Sequence, residues 1–158
     1  MLKKVQKYTK NSSLGRASTA LLKSRKKNIS WGKVDWENAP DVKKRLILLS
    51  KKIEANWLKI DAITCFRSTK SKARAYARVW GLSRVWQLAL VVKPHYIIEV
   101  LAQNYDRLPQ DKQDEVLLHE IAHIPKNFSG SLLPHVKKGK RKFKDRVREL
   151  VNSLRKEG

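Results

Sequence analysis

The sequence predicts an α+β fold, a small mixed sheet packed against one motif-bearing helix with further helices flanking it. Three observations point there. Apolar residues recur at helical spacing in separate stretches, and short apolar runs bounded by Pro, Gly and basic loops supply strands between them. A chain of 158 residues with 41% hydrophobic content suits one domain with a modest core.

The elements follow in order. Residues 1–38 are expected to form a basic, flexible extension, with residues 39–158 as the domain proper. Within the extension, Met1 to Ile29 is polar, basic and Ser-rich, with Leu14, Leu21 and Leu22 its main apolar points. Trp31 and Trp36 bracket a turn at Gly32 and either pack back on the domain or stack on a base, packing being favoured. Asn38-Ala39-Pro40-Asp41 starts a helix running to about Trp57, because Val42, Leu46, Leu49, Ile53 and Trp57 repeat at helical spacing. Ile60 to Phe66 is expected to be a strand, and the basic stretch Lys70 to Trp80 a loop or short helix. Val85 to Val92 reads as a central strand broken by Pro94, with Tyr96 to Leu101 the next strand. Pro109 suits a first helical turn, Asp111, Asp114 and Glu115 complement the macrodipole, and Pro125 ends that helix. A last helix carries Phe143, Val147, Leu150, Val151 and Leu154 as an apolar stripe.

The helix before Pro125 contains His119-Glu120-Ile121-Ala122-His123. Residues four apart lie on one helical face, so the two imidazoles can share one metal ion while Glu120 stands beside it. A third ligand must come from beyond the helix end. His135 is the favoured candidate: Ser129-Gly130 turns the chain, Pro134 stiffens the approach, and Phe128, Leu132 and Leu133 can anchor the loop. Glu149, one turn after Asp145, competes for the role. Three protein ligands with a fourth position left to water are the mark of a catalytic rather than a structural zinc, and the lone Cys65 argues against a thiolate-rich structural site. The expected cofactor is therefore Zn2+, with Glu120 as general base toward zinc-bound water. His95, at a strand boundary, is an oxyanion candidate, though a structural role is commoner there.

These residues also carry a resemblance. From about Lys59 to His135, roughly half the chain, the sequence resembles the phage and archaeal metallopeptidases, a small zincin family related in outline to SprT-like proteases. The matching text is Leu118-His119-Glu120-Ile121-Ala122-His123-Ile124-Pro125, then Phe128-Ser129-Gly130, Pro134-His135 and, upstream, Tyr96-Ile97-Ile98-Glu99-Val100. The resemblance implies a minimal zincin-like domain, His119, His123 and His135 as zinc ligands, and Glu120 as catalytic acid and base. It also implies that the strand before the motif helix lies along the cleft as an edge that pairs with an extended substrate. Ala122 is smaller than the bulky apolar residue expected there, which bears on packing.

Charge is the second signal, with 36 Lys and Arg against 14 Asp and Glu for a net +22. Residues 1–40 hold ten basic and two acidic side chains, and residues 136–158 hold ten and three. Such ends bind polyanions, with DNA the first candidate and an anionic membrane surface the second. Lys70, Lys72, Arg74 and Arg78, and Lys137, Lys138, Lys140, Arg141 and Lys142, are the candidate nucleic-acid contacts. No run of eighteen apolar residues and no secretory leader is present, so a cytoplasmic location is expected.

The expected function is zinc-dependent hydrolysis of peptide bonds in a peptide or protein substrate, with proteins bound or crosslinked to DNA as the particular class. The alternative is a non-catalytic, basic nucleic-acid-binding protein with a structural metal site. Glu120 separates the two, since a structural site has no need of a carboxylate beside its first ligand.

Overall fold

The structure, a computed structural model, describes residues 34–135 and 143–156. The expectations for Met1 to Ile29, Trp31, Gly32 and Lys137 to Lys142 fall outside those residues. The chain runs β1 (Asp35–Asn38), α1 (Pro40–Lys52), a 3-10 turn (Ile60–Ala62), β2 (Ile63–Thr69), β3 (Ala77–Gly81), α2 (Arg84–Leu90), β4 (Tyr96–Leu101), α3 (Ala102–Tyr105), α4 (Gln110–His123) and α5 (Phe143–Lys156). The four strands form one mixed α+β sheet in the order β1-β2-β4-β3. β2 and β4 are parallel, with Cys65 opposite Ile98, and the outer pairs are antiparallel.

Alternation along the strands decides which face is covered. Ile63, Cys65, Tyr96, Ile98 and Val100 share one core cluster with Val42, Leu46 and Leu49 of α1 and Leu117, Leu118 and Ile121 of α4. Cys65 is buried there, and burial pushes its thiol up to about 11, so it is inert at neutral pH.

Ion pairs fix how the helices sit. Arg45 of α1 reaches Asp114 of α4 through Nε at 2.6 Å, and Asp114 is only 5% exposed. An acid that the sequence offers as a dipole partner is instead a buried tie between helices. Arg67 of β2 bridges Asp41 at 2.7 Å and Asp106 at 3.2 Å.

Helix α1 begins with Pro40 in its first turn, as the sequence predicts, yet stops at Lys52 rather than near Trp57. Glu54 takes a left-handed conformation with φ 50°, which ends the helix, while Ile53 and Trp57 still pack on the core from beyond it. β2 starts at Ile63 and runs on to Thr69, the 3-10 turn taking the residues before it. Within the basic stretch, Ala77–Gly81 is a strand, not a loop or helix.

The largest correction concerns Val85 to Val92. This segment is not a central strand: Arg84–Leu90 is a helix, and the place beside β4 belongs to β3, with Arg78 opposite Glu99 and Trp80 opposite Ile97. A continuous apolar run looks the same in a buried strand and in a helix whose apolar side chains are not buried, so periodicity could not separate them.

The second sheet face carries a carboxylate clasp. Glu99, 1% exposed, accepts from the Trp36 indole at 3.1 Å and the Trp80 indole at 3.0 Å, with Arg78 3.8 Å away. Trp36 is thus tied to β4 through its Nε1 while its ring stays 52% exposed. Both outer strands are thereby tied to β4 through one side chain. Glu99→Gln turns an amide NH2 toward one of the two indole N–H groups, leaving a donor facing a donor. We expect a loss of about 1–3 kcal/mol, read from the urea midpoint together with tryptophan emission.

Candidate metal centre

Pro109 precedes the motif helix as its N-cap residue with φ −64° and ψ 157°, so α4 begins at Gln110. The helix ends at His123 because Ile124 is extended, as a residue before proline prefers to be. His119 and His123 therefore stand one turn apart on the last stretch of α4, their ring centroids 5.1 Å apart.

The segment after Pro125 brings in His135, whose Nε2 lies 3.1 Å from His119 Nε2. One ligand atom from each of the three histidines lies within 4.8 Å of the others, and they are the cluster of metal-ligating type found among the described residues. The tautomer of His123 is fixed by its neighbour. Its Nδ1 is 2.6 Å from the Leu133 carbonyl, which can only accept, so Nδ1 carries the proton and Nε2 keeps its lone pair. Leu133 N–H returns to the His123 carbonyl at 2.8 Å, pinning the loop to the helix end.

Electrostatics suit a cation. Burial lowers the pKa of His119, and the neighbouring His123 and His135 lower it further; burial likewise lowers that of His123. Neutral rings keep nitrogen lone pairs available. An ion about 2.0–2.1 Å from each nitrogen in tetrahedral geometry would space them by about 3.3 Å, close to the His119–His135 separation. The donor set therefore fits a metal ion that takes nitrogen ligands.

Glu120 is 7% exposed, and burial lifts its carboxyl to about 7, against a partly offsetting hydrogen bond from the Val79 backbone N–H. A carboxyl poised near neutrality can both take and return a proton. His119, Glu120, His123 and His135 open onto a cleft of about 760 Å³ whose opposite wall is Ala75 to Val79.

That wall corrects the expectation for the substrate edge. The strand before the motif helix, β4, is interior, and the edge strand on the cleft is β3. Leu101 N–H bonds Tyr76 O and Leu82 N–H bonds His95 O, so alternation turns the backbone groups of Ala77, Val79 and Gly81 outward.

The loop carrying His135 is seated by contacts that the sequence did not advertise. Gly130 has φ 87° and its N–H donates to Tyr96 Oη at 2.7 Å, while Tyr96 Oη donates to Ser131 O at 2.9 Å. Gln87 Nε2 donates to Leu82 O at 2.6 Å and Ser129 O at 2.9 Å. A Cβ on Gly81 would come within 2.3 Å of Gly130 O, so two glycines allow the loop to lie on the end of β3. Phe128 is buried as expected and meets Tyr96 edge-on at 4.8 Å, whereas Leu132 is 42% exposed.

Phe143 was legible only as part of an apolar stripe. Its ring stacks on His123 at 4.3 Å and meets His135 at 4.7 Å and His119 at 5.2 Å edge-on. It lines the neighbouring groove with Trp57 and Leu133 rather than the cleft, so it supports the rings without facing the cleft. Arg146 of α5 donates to Ile124 O at 2.6 Å, joining the last helix to the end of α4.

Other sequence candidates lie elsewhere. Glu149 lines the groove beside Trp57 and is outside the histidine cluster. His95 Nε2 is 2.9 Å from Thr64 Oγ1, a structural contact away from the cleft. Lys70 pairs with Asp35 at 2.6 Å and Arg78 with Glu99, while Lys72 and Arg74 are exposed. Lys137, Lys138, Lys140, Arg141 and Lys142 are outside the described residues.

Comparison with known proteins adds one finding. Residues 34–155 match a family model described as "Putative phage metallopeptidase". Searches of curated proteins and of solved structures gave no match.

Proposed function

Because the chain belongs to that phage metallopeptidase family, we propose that it is a zinc-dependent peptidase, with His119, His123 and His135 holding the ion and Glu120 serving as general base and acid. One observation carries the reading: three imidazoles converge beside a buried carboxyl in a cleft walled by an edge strand. When bound, zinc supplies Lewis acidity that activates water toward neutral pH and polarises a carbonyl.

The chain's own residues do the rest. The outward backbone groups of β3 that stay open, those of Ala77 and the Val79 carbonyl, align an extended peptide by strand addition, which gives affinity through the main chain and little demand on side-chain sequence. Glu120 takes the proton of the attacking water and hands it to the leaving amine nitrogen. Val79 N–H holds the carboxylate in place between those transfers.

A protein substrate associated with DNA has less support. The net charge of +22 favours polyanions in general, but two of the four described candidate contacts, Lys70 and Arg78, are engaged by carboxylates. The non-catalytic alternative gains nothing from a buried carboxyl placed next to the first ligand.

Metal analysis of protein purified without added zinc, beside cleavage of an unstructured protein substrate, tests the proposal. We expect about one zinc per chain, cleavage lost on chelation and restored by Zn2+. Zinc retained with no cleavage of peptides or proteins would favour the structural alternative.

A further inference from the structure

Helix α2 is inside out. An ordinary surface helix hides its apolar stripe and shows its polar side chains. Here the only buried residue is the polar Gln87, while Val85 is 68% exposed, Trp86 58%, Leu88 63% and Leu90 56%. The apolar surface continues past the helix through Val91, 91% exposed, and Val92, 47% exposed. Next to it a groove of about 920 Å³ includes Trp80, Trp86, Val92 and Pro94 and extends this surface toward the sheet.

Val91 gives a second, independent sign. Its φ is 54°, a left-handed conformation that costs a β-branched residue and that glycine adopts freely at a helix end. Nothing inside the fold gains from the valine, since its side chain points to solvent. Folding alone does not account for an apolar, strained and exposed residue at this position.

Charge decides what the surface meets. Arg84 and Lys93 bracket the apolar stretch, and Asp61 is the one acid on the groove beside it, in a chain whose net charge is +22. A second copy of a chain carrying +22 would bring like charges together around the patch. Nucleic acid would call for a series of stacking rings, whereas Trp86 and the groove's Trp80 stand in a surface made mostly of Val85, Leu88, Leu90, Val91 and Val92, and the Trp80 indole N–H is already given to Glu99. Aliphatic side chains with indoles beside them and flanking cations suit the boundary between anionic headgroups and acyl chains.

We propose that the Arg84 to Lys93 segment is a docking element for an anionic lipid bilayer, with the α2 side chains entering the interface and Arg84 and Lys93 meeting the headgroups. No described helix is long and apolar enough to cross a membrane, so the attachment is peripheral. It holds whether or not the metal centre is active.

The test is sedimentation of the full chain with phosphatidylcholine vesicles, with and without phosphatidylglycerol. Its comparison variant is Trp86→Ser/Leu88→Ser/Val91→Gly, which leaves the net charge unchanged. All three positions are exposed, and an unfolding midpoint no lower than that of wild type would verify that the variant folds. Wild-type protein should bind the phosphatidylglycerol vesicles, and the variant should bind at least about tenfold more weakly, since a single large apolar side chain can contribute that much when buried. Equal binding by the variant, or none by wild type, would overturn the proposal. So would shielding of Trp86 from an aqueous quencher without vesicles, read as the difference between wild type and Trp86→Phe, which would mean that a second copy or residues 1–33 already cover the face. Loss of single-stranded DNA binding in the variant, in parallel with vesicle binding, would likewise overturn it in favour of nucleic acid.

Discussion

Glu120→Gln is expected to keep its metal while peptide hydrolysis falls by roughly 10²–10⁴-fold, the range a positioned proton-transfer group contributes. Gln matches Glu in shape and can still accept from Val79 N–H, so the end of α4 and the three imidazoles should stay in place. What it cannot do is receive a proton from water. The loss should therefore appear in kcat with KM little changed, because peptide binding along β3 does not use this carboxyl. Metal content measured on the same sample makes the result decisive: zinc retained with activity lost supports the assigned base, whereas full activity removes Glu120 from the mechanism. Thermal stability should not drop, since the amide relieves the desolvation that raises the carboxyl to about 7.

Gly130→Ala is expected to be the most damaging small substitution outside the histidines. At φ 87° an added Cβ is strained before any contact is considered, and it would lie 2.2 Å from both Leu82 O and Gln87 Nε2. Gln87 can turn away, but Leu82 O is backbone just past β3, and the N–H of the same residue is tied to His95 O. The loop must lift, loosening the Tyr96 and Gln87 hydrogen bonds and the approach of His135 to His119. Backbone strain and overpacking together should cost about 2–5 kcal/mol, a large share of a small domain's stability. Zinc affinity should fall with it while His119 and His123 remain on α4. Calorimetric unfolding and a competitive zinc titration measure the two consequences separately, and an unchanged affinity would show that His135 does not depend on this seating.

The parts of the molecule that Glu120→Gln and Gly130→Ala probe differ in how plainly they are written in the sequence. The spacing of His119 and His123 is a property of any helix, so their common face was legible without a fold. Helix α1 was equally readable, because Val42, Leu46 and Leu49 repeat at its period and Pro40 marks its start. The strand Tyr96–Leu101 was found from its apolar run, and Ser129-Gly130 from its turn chemistry.

The failures have a common physical source. Periodicity reports which residues are apolar, not what covers them, so Val85 to Val92 looked like a buried strand although its side chains face solvent. Ala77–Gly81 was obscured because an edge strand bearing Arg78 and Trp80 on its open side shows no clean alternation. Its position could not be known before β4 was seen to pair on both sides. Asp114 illustrates the same limit at one residue: near a helix start an acid reads as a dipole partner, and only the approach of α1 makes it a buried mate for Arg45.

The sequence by itself determined the local chemistry: the α+β class, the motif helix, the acid beside its first histidine, and the large positive charge. Those depend on spacing and composition, which act within one or two turns of chain. Tertiary structure alone decided that β3 forms the cleft wall, that Phe143 braces the imidazoles, and that the Gly81–Gly130 contact seats the His135 loop. Such decisions belong to groups far apart in the chain, whose energies exist only once the sheet and helices have brought them within contact distance.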